Sequence, residues 1–541
     1  MLLKKNQIFF IFIIAIVFYL PSCNNKSDSS QHRLAFESVT PKPVSAVATD
    51  GAFELNEKTA IVLEGTELKD IGEFLAGKLK PATGFMLPVT VEEGGESNNI
   101  YLTTEDADPK WGEEGYQLAI NDDGIKLTAN TPEGLFRGVQ TLRQLLPETI
   151  EAATKQDSQW KIATGTIVDY PNYKWRGSML DVARHFFSVE DVKRYIDLIS
   201  YYKINILHLH LTDDQGWRIE IKSWPNLTAI GGRTQVGGGE GGFYTQEQYA
   251  DIVAYAQSRF VTIVPEIDMP GHTNAALVSY PQLNIGESGT PANSTLPLEH
   301  EPNDKPKAGE TYTGIEVGFS TLHLKNEITL EFVDDVIGEL AAITPGPYIH
   351  IGGDESHVTD KEDYIEFVNE FRKIVASHGK KMIGWEEIAQ ADIDSSVIVQ
   401  FWNSPEYLNL ALEKGAKVIL SPSKKVYLDM KYDSTTEIGL SWAAYIEVDA
   451  AYNWNPETLV EGIVKEQILG VEAPLWTETI ETMDDIEYMV FPRLAGVAEI
   501  GWSPASHRDW DDYKKRLVQQ SKRWEVMGIN YYQSPLIPWG K

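Results

Sequence analysis

Short apolar segments alternate with amphipathic stretches through most of the chain, and their spacing predicts two folded units. In the first unit, residues 46–166, apolar residues at helical spacing predict two helices, the second with Pro132 in its first turn. The apolar faces carry Leu68, Ile71, Leu75 and Leu79, then Leu135, Val139, Leu142 and Leu146. Strands are predicted at Leu87–Val91, Ile100–Thr103, Tyr116–Asn121 and Gly124–Ala129. This pattern indicates a small α/β accessory domain.

The second unit, residues 170–541, has a different rhythm, in which a β-like segment recurs eight times with room for a helix between repeats. The segments are Met179–His185, Ile204–Leu211, Val261–Asp268, Tyr348–Glu355, Lys381–Glu387, Val397–Trp402, Lys417–Pro422 and Val471–Glu478. Ser188 and Asp191 resemble a capping box that starts the first intervening helix. Eight alternations predict a (β/α)8 TIM barrel of the α/β class, followed by a C-terminal helical tail.

The N-terminus has the pattern of an export signal. Lys4 and Lys5 precede an apolar run of 13 residues, Ile8–Leu20, which is shorter than the about 20 residues that span a bilayer. The run ends at Cys23 in a segment that resembles a bacterial lipoprotein signal, and an ordinary secretory signal is the alternative. We therefore predict a signal peptide at 1–22, a lipid on Cys23, a flexible tether at 23–45, and an exported protein anchored to the cell envelope, periplasmic or surface-exposed.

Composition narrows the expected partners. The chain has 47 Lys and Arg against 79 Asp and Glu, a net charge of −32, so its surface repels phosphate backbones and no nucleic acid partner is expected. Cys23 is the single cysteine, which excludes an intramolecular disulfide and a cysteine-based zinc site. We expect no metal and no cofactor, and a membrane contact only through the lipid anchor.

Candidate chemistry lies at the C-terminal ends of the predicted barrel strands, where such barrels build their active sites. Carboxylates and flat aromatic rings dominate these ends: Arg184-His185, Asp213-Asp214 with Trp217, Glu266, Asp268, His272, Asp354-Glu355, Trp385-Glu386, Trp402, Tyr427, Asp429, Trp476 and Glu478. Aromatic faces suit the C–H faces of sugar rings, and carboxylates suit sugar hydroxyls and acid–base work. These residue types favour a glycan substrate over a phosphorylated one.

The same stretches resemble a known family. The run MLDVARHFFSVEDVKRYIDLISYYKINILHLHLTDDQGWRIEI is similar to the family-twenty glycoside hydrolases, the β-N-acetylhexosaminidases. The later segments VPEIDMPGHTNAA, YIHIGGDESH, YLDMKY, EAPLWTE and PRLAGVAEIGW are similar, in this order, to further motifs of that family. The resemblance covers residues 46–505. It implies that Glu355 is the general acid, that Asp354 orients and stabilises the 2-acetamido group of the substrate, and that Tyr427 hydrogen-bonds the acetamido carbonyl.

The resemblance also assigns supporting groups around these three residues. The implied aromatic walls of the sugar site are Trp385, Trp402 and Trp476. The groups implied to hold sugar hydroxyls are Arg184, Asp429 and Glu478, and those implied to support the acid are Asp213 and His272. The implied activity is removal of terminal, non-reducing β-linked N-acetylglucosamine or N-acetylgalactosamine from glycans, with retention of configuration and assistance from the substrate's own acetamido group.

The adjacency of Asp354 and Glu355 agrees with substrate assistance. Consecutive strand residues point to opposite faces, so two such carboxyls are awkward as an acid and a nucleophile flanking one bond. If the acetamido oxygen attacks the anomeric carbon instead, one acid and one stabilising carboxylate are enough. We expect the charge of Asp354 to raise the pKa of Glu355 and keep that acid protonated.

Other interpretations stay open. A lacto-N-biosidase-like enzyme of the same family would remove a terminal disaccharide, and a surface lipoprotein could bind glycans without cleaving them. His208 and His210 share one strand face, as in metal-dependent hydrolases. However, the later strand ends carry tryptophan where further histidine ligands would be needed, so we interpret both histidines as part of the core.

Overall fold

The computed structural model describes residues 34–92, 97–284 and 309–540. The predicted signal peptide at 1–22, Cys23 and the first part of the predicted tether lie outside these residues. Within the described ranges, no helix combines the length and the apolar composition needed to cross a membrane. The described chain forms two units, a seven-stranded sheet with helices and a closed eight-stranded barrel.

The N-terminal unit is a mixed sheet with two long helices that pack on it and on each other. Its strands are β1 (Ser45–Glu54), β2 (Ala60–Leu63), β3 (Val89–Val91), β4 (Asn99–Thr103), β5 (Tyr116–Asn121), β6 (Gly124–Ala129) and β7 (Lys161–Asp169). Its helices are α1 (Lys69–Thr83) and α2 (Pro132–Leu145). The strands lie in the order β1-β7-β5-β6-β4-β2-β3. The Thr131 hydroxyl caps α2 by accepting from the Gly134 N–H, with Pro132 in the first turn as predicted.

Both predicted helices and all four predicted strands of this unit are present. The apolar pattern does not predict β1, β2 or β7. Most residues of β1 are exposed, and its register shifts between Ala48 and Ala52, so the strand lacks the regular alternation that would identify it.

Eight parallel strands close the second unit into a barrel, which confirms the predicted fold. The first two are β8 (Trp175–Asp181) and β9 (Ile206–His210), followed by a separate two-stranded ladder of β10 (Thr212–Asp213) and β11 (Gly216–Trp217). The other barrel strands are β12 (Thr262–Glu266), β13 (Tyr348–His350), β14 (Lys381–Trp385), β15 (Ile398–Phe401), β16 (Lys417–Leu420) and β17 (Ile468–Leu475). Each predicted segment overlaps one of these eight strands.

Helices surround the barrel. They are α3 (Val189–Tyr201), α4 (Asn226–Ala229), α5 (Gln246–Gln257), α6 (Asn274–Ser279), α7 (Glu327–Ile343), α8 (Lys361–Ser377), α9 (Pro405–Glu413), α10 (Ser423–Val426), α11 (Val448–Tyr452), α12 (Met483–Val490), α13 (Arg493–Trp502) and α14 (Trp510–Met527), the last being the C-terminal helix. The predicted capping box of Ser188 and Asp191 starts α3. Between β14 and β15 the helical segment is only the 3₁₀ turn Glu386–Gln390, which keeps these two strand ends close along the chain.

A buried ion pair joins the accessory unit to the barrel. The Asp169 carboxylate, at the end of β7, lies 2.8 Å from the Lys203 ammonium, and both side chains are fully buried. The Tyr116 hydroxyl and the Trp502 indole N–H also donate to Asp169, each at 2.8 Å. Because a buried charge is costly without its partner, these contacts fix how the two units meet.

We expect Lys203→Met to destabilise the protein by about 3–5 kcal/mol, because it leaves the Asp169 charge buried without a cation. The matched control is Lys193→Met, because Lys193 pairs with the largely exposed Asp251 at 2.6 Å and such pairs contribute about 0–1 kcal/mol. Thermal unfolding of both variants measures the difference. Equal midpoints would contradict the role assigned to the buried pair.

Candidate active site

The C-terminal end of the barrel brings the sequence-predicted site residues together. Arg184 follows β8, Asp213 lies just beyond β9, and His272 follows β12. The remaining residues lie at or beyond the ends of β13 to β17: Asp354, Glu355, Trp385, Trp402, Tyr427, Asp429, Trp476 and Glu478. Ring contacts and ion pairs connect them across strands that are distant in sequence.

Asp354 and Glu355 lie in a tight turn, not in a strand. β13 ends at His350, so the predicted strand Tyr348–Glu355 is too long, and the alternation argument does not apply to this pair. Gly352 and Gly353 have φ of 68° and 96°, and Glu355 itself has φ of 45°. A Cβ atom on Gly352 would lie 1.8 Å from the Asp268 Oδ1 atom, so only glycine fits there. The turn aims both carboxyls at His272.

His272 links the two carboxyls to a buried charge network. Its Nε2 atom lies 3.6 Å from Glu355 Oε2 and 3.8 Å from Asp354 Oδ2. Its Nδ1 atom lies 3.2 Å from Asp213 Oδ1. The other Asp213 oxygen lies 2.7 Å from the Arg184 guanidinium. Asp213 and His272 therefore stand behind the acid, where the resemblance places its support.

The electrostatics of the pair differ from the sequence expectation. Burial raises the pKa of Glu355, but the hydrogen bond and charge of His272 outweigh it and hold that pKa below its usual value. Burial, reinforced by the charges of Glu266 and Glu355, raises the pKa of Asp354 to about 6. The expectation that Asp354 raises the pKa of Glu355 is therefore wrong for the free protein. The effect of His272, which the resemblance assigns to the support of the acid, exceeds that of Asp354.

Aromatic rings form a cup beside these groups. The ring centroids of Trp385 and Trp476 are 5.8 Å apart, and those of Trp476 and Tyr427 are 6.4 Å apart. Burial, then the charges of Asp354 and Asp429, raise the pKa of Tyr427 well above its usual value, so its hydroxyl stays protonated and can donate. This places a hydrogen-bond donor beside the indole ring of Trp476.

One wall of the cup was not predicted. Trp442 is 57% exposed, and its ring lies 6.0 Å from that of Trp402 and 6.1 Å from that of Tyr427. Its exposed position on the long segment after Tyr427 distinguishes it from Trp385, which is fully buried. The signal available in the sequence was a tryptophan 15 residues after the predicted site residue Tyr427.

Asp429 and Glu478 carry buried carboxyl oxygens to which the described part of the chain supplies no hydrogen bond. Both oxygens of Asp429 and one oxygen of Glu478 are buried without a hydrogen bond. Burial and the neighbouring Glu478 raise the pKa of Asp429 well above its usual value. Burial and the charges of Asp181 and Asp213 raise the pKa of Glu478 to about 7, against the lowering effect of Arg184. Such unsatisfied acceptors are costly, and sugar hydroxyls would satisfy them.

Glu387 is a second group that the sequence interpretation did not include. Its carboxylate oxygens lie 3.3 and 3.2 Å from the Trp402 indole nitrogen and accept its hydrogen bond. Burial and the charge of Asp354 raise its pKa well above the usual value. Glu387 therefore orients one wall of the cup and responds to the charge on the carboxyl pair.

The histidines of the metal hypothesis face carboxylates on both ring nitrogens. His208 lies 2.9 Å from Glu472 and 3.0 Å from Glu266. His210 lies 2.5 Å from Glu266 and 3.0 Å from Asp213. Against the effect of burial, the charges of Glu266 and Glu472 raise the pKa of His208 to about 9. A metal ligand must be a neutral imidazole with a free lone pair, so these contacts favour the core interpretation.

Comparison with known proteins connects this geometry to a family. The model described as "Glycosyl hydrolase family 20, catalytic domain" matches residues 173–505, and that described as "Glycosyl hydrolase family 20, domain 2" matches residues 37–170. A β-N-acetylhexosaminidase of Cellulomonas fimi is 41% identical over 506 residues, which are 93% of this chain and 97% of that protein.

Solved structures agree with the sequence comparison. A family 20 β-N-acetylhexosaminidase from Streptomyces coelicolor A3(2) is similar with a TM-score of 0.87 and 47% identity, covering 93% of this chain and 99% of that one. An exo-β-N-acetylglucosaminidase from Vibrio harveyi, solved with N-acetylglucosamine, has a TM-score of 0.77 and 31% identity, covering 92% of this chain and 78% of that one.

We expect Gly352→Ala to lower the thermal unfolding midpoint more than Gly379→Ala does. Both glycines have positive φ, 68° and 73°, so alanine costs about 1–2 kcal/mol of backbone strain at either position. Only at Gly352 does the new methyl group collide with a neighbour, because a Cβ on Gly379 meets no atom within 4 Å. Equal midpoints would show that the turn at Asp354 tolerates displacement.

Proposed function

The chain belongs to glycosyl hydrolase family 20 and is a β-N-acetylhexosaminidase-type glycoside hydrolase, and on this basis we propose a retaining, substrate-assisted mechanism for it. We infer that it removes terminal β-linked N-acetylglucosamine or N-acetylgalactosamine from the non-reducing ends of glycans. The observation that carries the proposal is the pair of carboxyls, Asp354 and Glu355, that share the imidazole of His272 at the barrel end that also carries Trp385 and Trp476.

The separation of the carboxyls argues against an inverting acid–base pair. One oxygen of each lies within 4.8 Å of the other, whereas inverting glycosidases keep their carboxyls about 6.5–9.5 Å apart to admit a water. The side chain of Asp354 is 11% exposed and that of Glu355 is 30% exposed. The less accessible carboxyl suits charge stabilisation, and the more accessible one suits proton transfer to a leaving group.

In the first step, the acetamido oxygen attacks the anomeric carbon as the glycosidic C–O bond breaks. Glu355 gives its proton to the leaving oxygen, and the sugar becomes an oxazolinium ring. Asp354 accepts the acetamido N–H and stabilises the positive charge that develops there. In the second step, water attacks the anomeric carbon, Glu355 takes its proton, and the ring reopens to give the retained product.

Proton supply for the acid comes from a coupled pair. Burial acts to lower the pKa of His272, but the charges of Asp213 and Asp268 outweigh it and raise that pKa well above its usual value, so His272 is suited to supply a proton. Moving that proton to Glu355 produces the neutral acid that the first step needs. Because the two groups share one proton, the titration that activity reports belongs to the pair.

The residues around the carboxyl pair are suited to enclose the acetamido group and to bind the sugar hydroxyls. Trp385, Trp476 and the Tyr427 hydroxyl enclose the acetamido group, while Trp402 flanks the sugar. The unsatisfied oxygens of Asp429 and Glu478, together with Arg184 beside them, are suited to hold sugar hydroxyls. The related Vibrio harveyi enzyme was solved with N-acetylglucosamine, which supports a substrate of this class for the present chain.

We expect cleavage of an aryl N-acetyl-β-glucosaminide and no measurable cleavage of the matching aryl β-glucoside, because the glucoside lacks the internal nucleophile. Release of aryl alcohol measures both rates. Comparable turnover would refute acetamido assistance. Release of a disaccharide from an aryl lacto-N-bioside, without cleavage of the monosaccharide substrate, would favour the lacto-N-biosidase alternative.

We expect kcat/KM of the wild-type enzyme to fall as the pH drops through about 6, because protonation of Asp354 removes the charge that stabilises the transition state. Asp354→Asn should lower kcat by about 10²–10³-fold and remove this acidic limb. Its thermal midpoint should stay close to that of wild type. An unchanged kcat would show that Asp354 has another role.

We further propose that Cys23 carries a lipid and that the enzyme is tethered to the cell envelope. Support comes from Lys4, Lys5 and the apolar run Ile8–Leu20 that ends before the single cysteine. In cells expressing the full chain, Cys23→Ser should move the activity from the detergent-soluble membrane fraction to the aqueous fraction. Wild-type activity that is already aqueous would overturn the anchor.

A further inference from the structure

A fully buried carboxylate, Glu266, lies beneath the cup at the end of β12, and none of the steps above uses it. We infer that Glu266 is a positioning residue. It fixes the indole of Trp385 and, through His210, the position of Asp213, which supports the acid. The inference rests on the proposed substrate-assisted mechanism, because it concerns the groups that surround the acetamido nucleophile.

Four nitrogen atoms surround the Glu266 carboxylate. On one oxygen, the Trp385 indole N–H donates at 2.9 Å and His350 Nδ1 lies at 3.0 Å. On the other oxygen, His210 Nδ1 lies at 2.5 Å and His208 Nε2 at 3.0 Å. Burial opposes the charge, yet the facing histidines hold the pKa of Glu266 well below its usual value. The group is therefore a permanent anion that accepts on both oxygens.

The first oxygen fixes an acetamide wall. Trp385 is fully buried, and the hydrogen bond that its indole N–H donates to Glu266 restrains the rotation of its indole plane. The ring of Trp385 packs 5.8 Å from that of Trp476. A change at Glu266 would therefore tilt the surface against which the acetamido group must lie when its oxygen attacks.

The second oxygen fixes the support of the acid. His210 bridges from Glu266 to Asp213 Oδ2, which lies 3.0 Å from its Nε2 atom. Asp213 in turn holds His272, which faces Glu355. His210 also packs edge-on against Trp476, with ring centroids 4.9 Å apart. One carboxylate thus connects the wall of the nucleophile's pocket with the proton donor.

Glu472 offers a matched comparison within the same barrel. It is also fully buried, and it accepts from His208 Nδ1 at 2.9 Å, the Trp175 indole at 2.8 Å and the Gln400 amide at 2.8 Å. None of these three partners is assigned to the cup or the acid, and His208 is the one partner that Glu472 shares with Glu266. If both carboxylates have a purely structural role, replacing either one should affect kcat in proportion to the loss of stability. If Glu266 is a positioning residue, its replacement should lower kcat more than replacement of Glu472 does.

The experiment compares Glu266→Gln with Glu472→Gln. Glutamine keeps the shape but has one acceptor oxygen, so at position 266 it cannot accept from both Trp385 and His210. We expect Glu266→Gln to lower kcat for the aryl N-acetyl-β-glucosaminide by about 10–100-fold, with a smaller change in KM. Its affinity for a bicyclic thiazoline that mimics the oxazolinium ring should fall in parallel. Glu472→Gln should keep kcat and thiazoline affinity near those of wild type, even if its thermal midpoint falls as far as that of Glu266→Gln.

Two outcomes would overturn the inference. One is a wild-type kcat and thiazoline affinity in Glu266→Gln, and the other is equal losses in both variants that follow their thermal midpoints. If Glu266→Gln does not fold, Glu266→Asp keeps the charge but withdraws it from Trp385, and it should show the same selective loss of kcat. The selectivity of the wild-type enzyme for the glucosaminide over the glucoside is measured first. Absence of that selectivity would refute the mechanism, whereas an unaffected Glu266→Gln in a selective enzyme would refute the role of Glu266.

Discussion

Carboxylates inside a closed barrel must be compensated, because an unpaired buried charge costs several kcal/mol. The C-terminal end of this barrel holds Asp213, Glu266 and Asp354 with almost no exposure to water. Their compensation comes from Arg184 and from imidazoles on neighbouring strands, which lie 2.5 to 3.8 Å from them. Because each buried carboxylate needs a nearby cation, the cations lie beside the carboxylates. The distance from each carboxyl to its cation then influences whether burial or the cation decides its pKa.

The same constraint explains the contrast between the two neighbouring carboxyls. Glu355 faces the His272 imidazolium more closely and is the more exposed, so the effect of its cation exceeds the effect of burial. Asp354 is more enclosed and receives the repulsion of Glu266, so burial prevails. The two adjacent carboxyls therefore differ in pKa, but in the free protein the order is the reverse of the one that an acid at Glu355 and a charge stabiliser at Asp354 need during the reaction.

Much of this arrangement could be predicted from the sequence. Barrel strands such as Ile206–His210 and Ile398–Phe401 are short and rich in apolar residues, and site residues such as Asp213 and Trp402 follow them closely. The end of β13 was misplaced, because His350, Ile351 and the glycines that follow continue an apolar pattern while the backbone already turns. The pKa order of the carboxyl pair was also misjudged, because it depends on a histidine more than 80 residues away in the chain. Glu266 resembled one more polar residue at a strand end, since its contacts with Trp385 and His210 exist only once the barrel closes.

The short connection between β14 and β15 has a consequence for ligand binding. Its Glu386 accepts the backbone N–H of Trp402 at 2.8 Å, and Glu387 accepts the indole N–H of the same residue. Backbone and ring of Trp402 are thus both tethered to the segment that begins at Trp385, before any sugar arrives. Since little rotamer freedom is left to lose, this part of the surface is preorganised, and more of the contact energy with a saccharide remains as affinity.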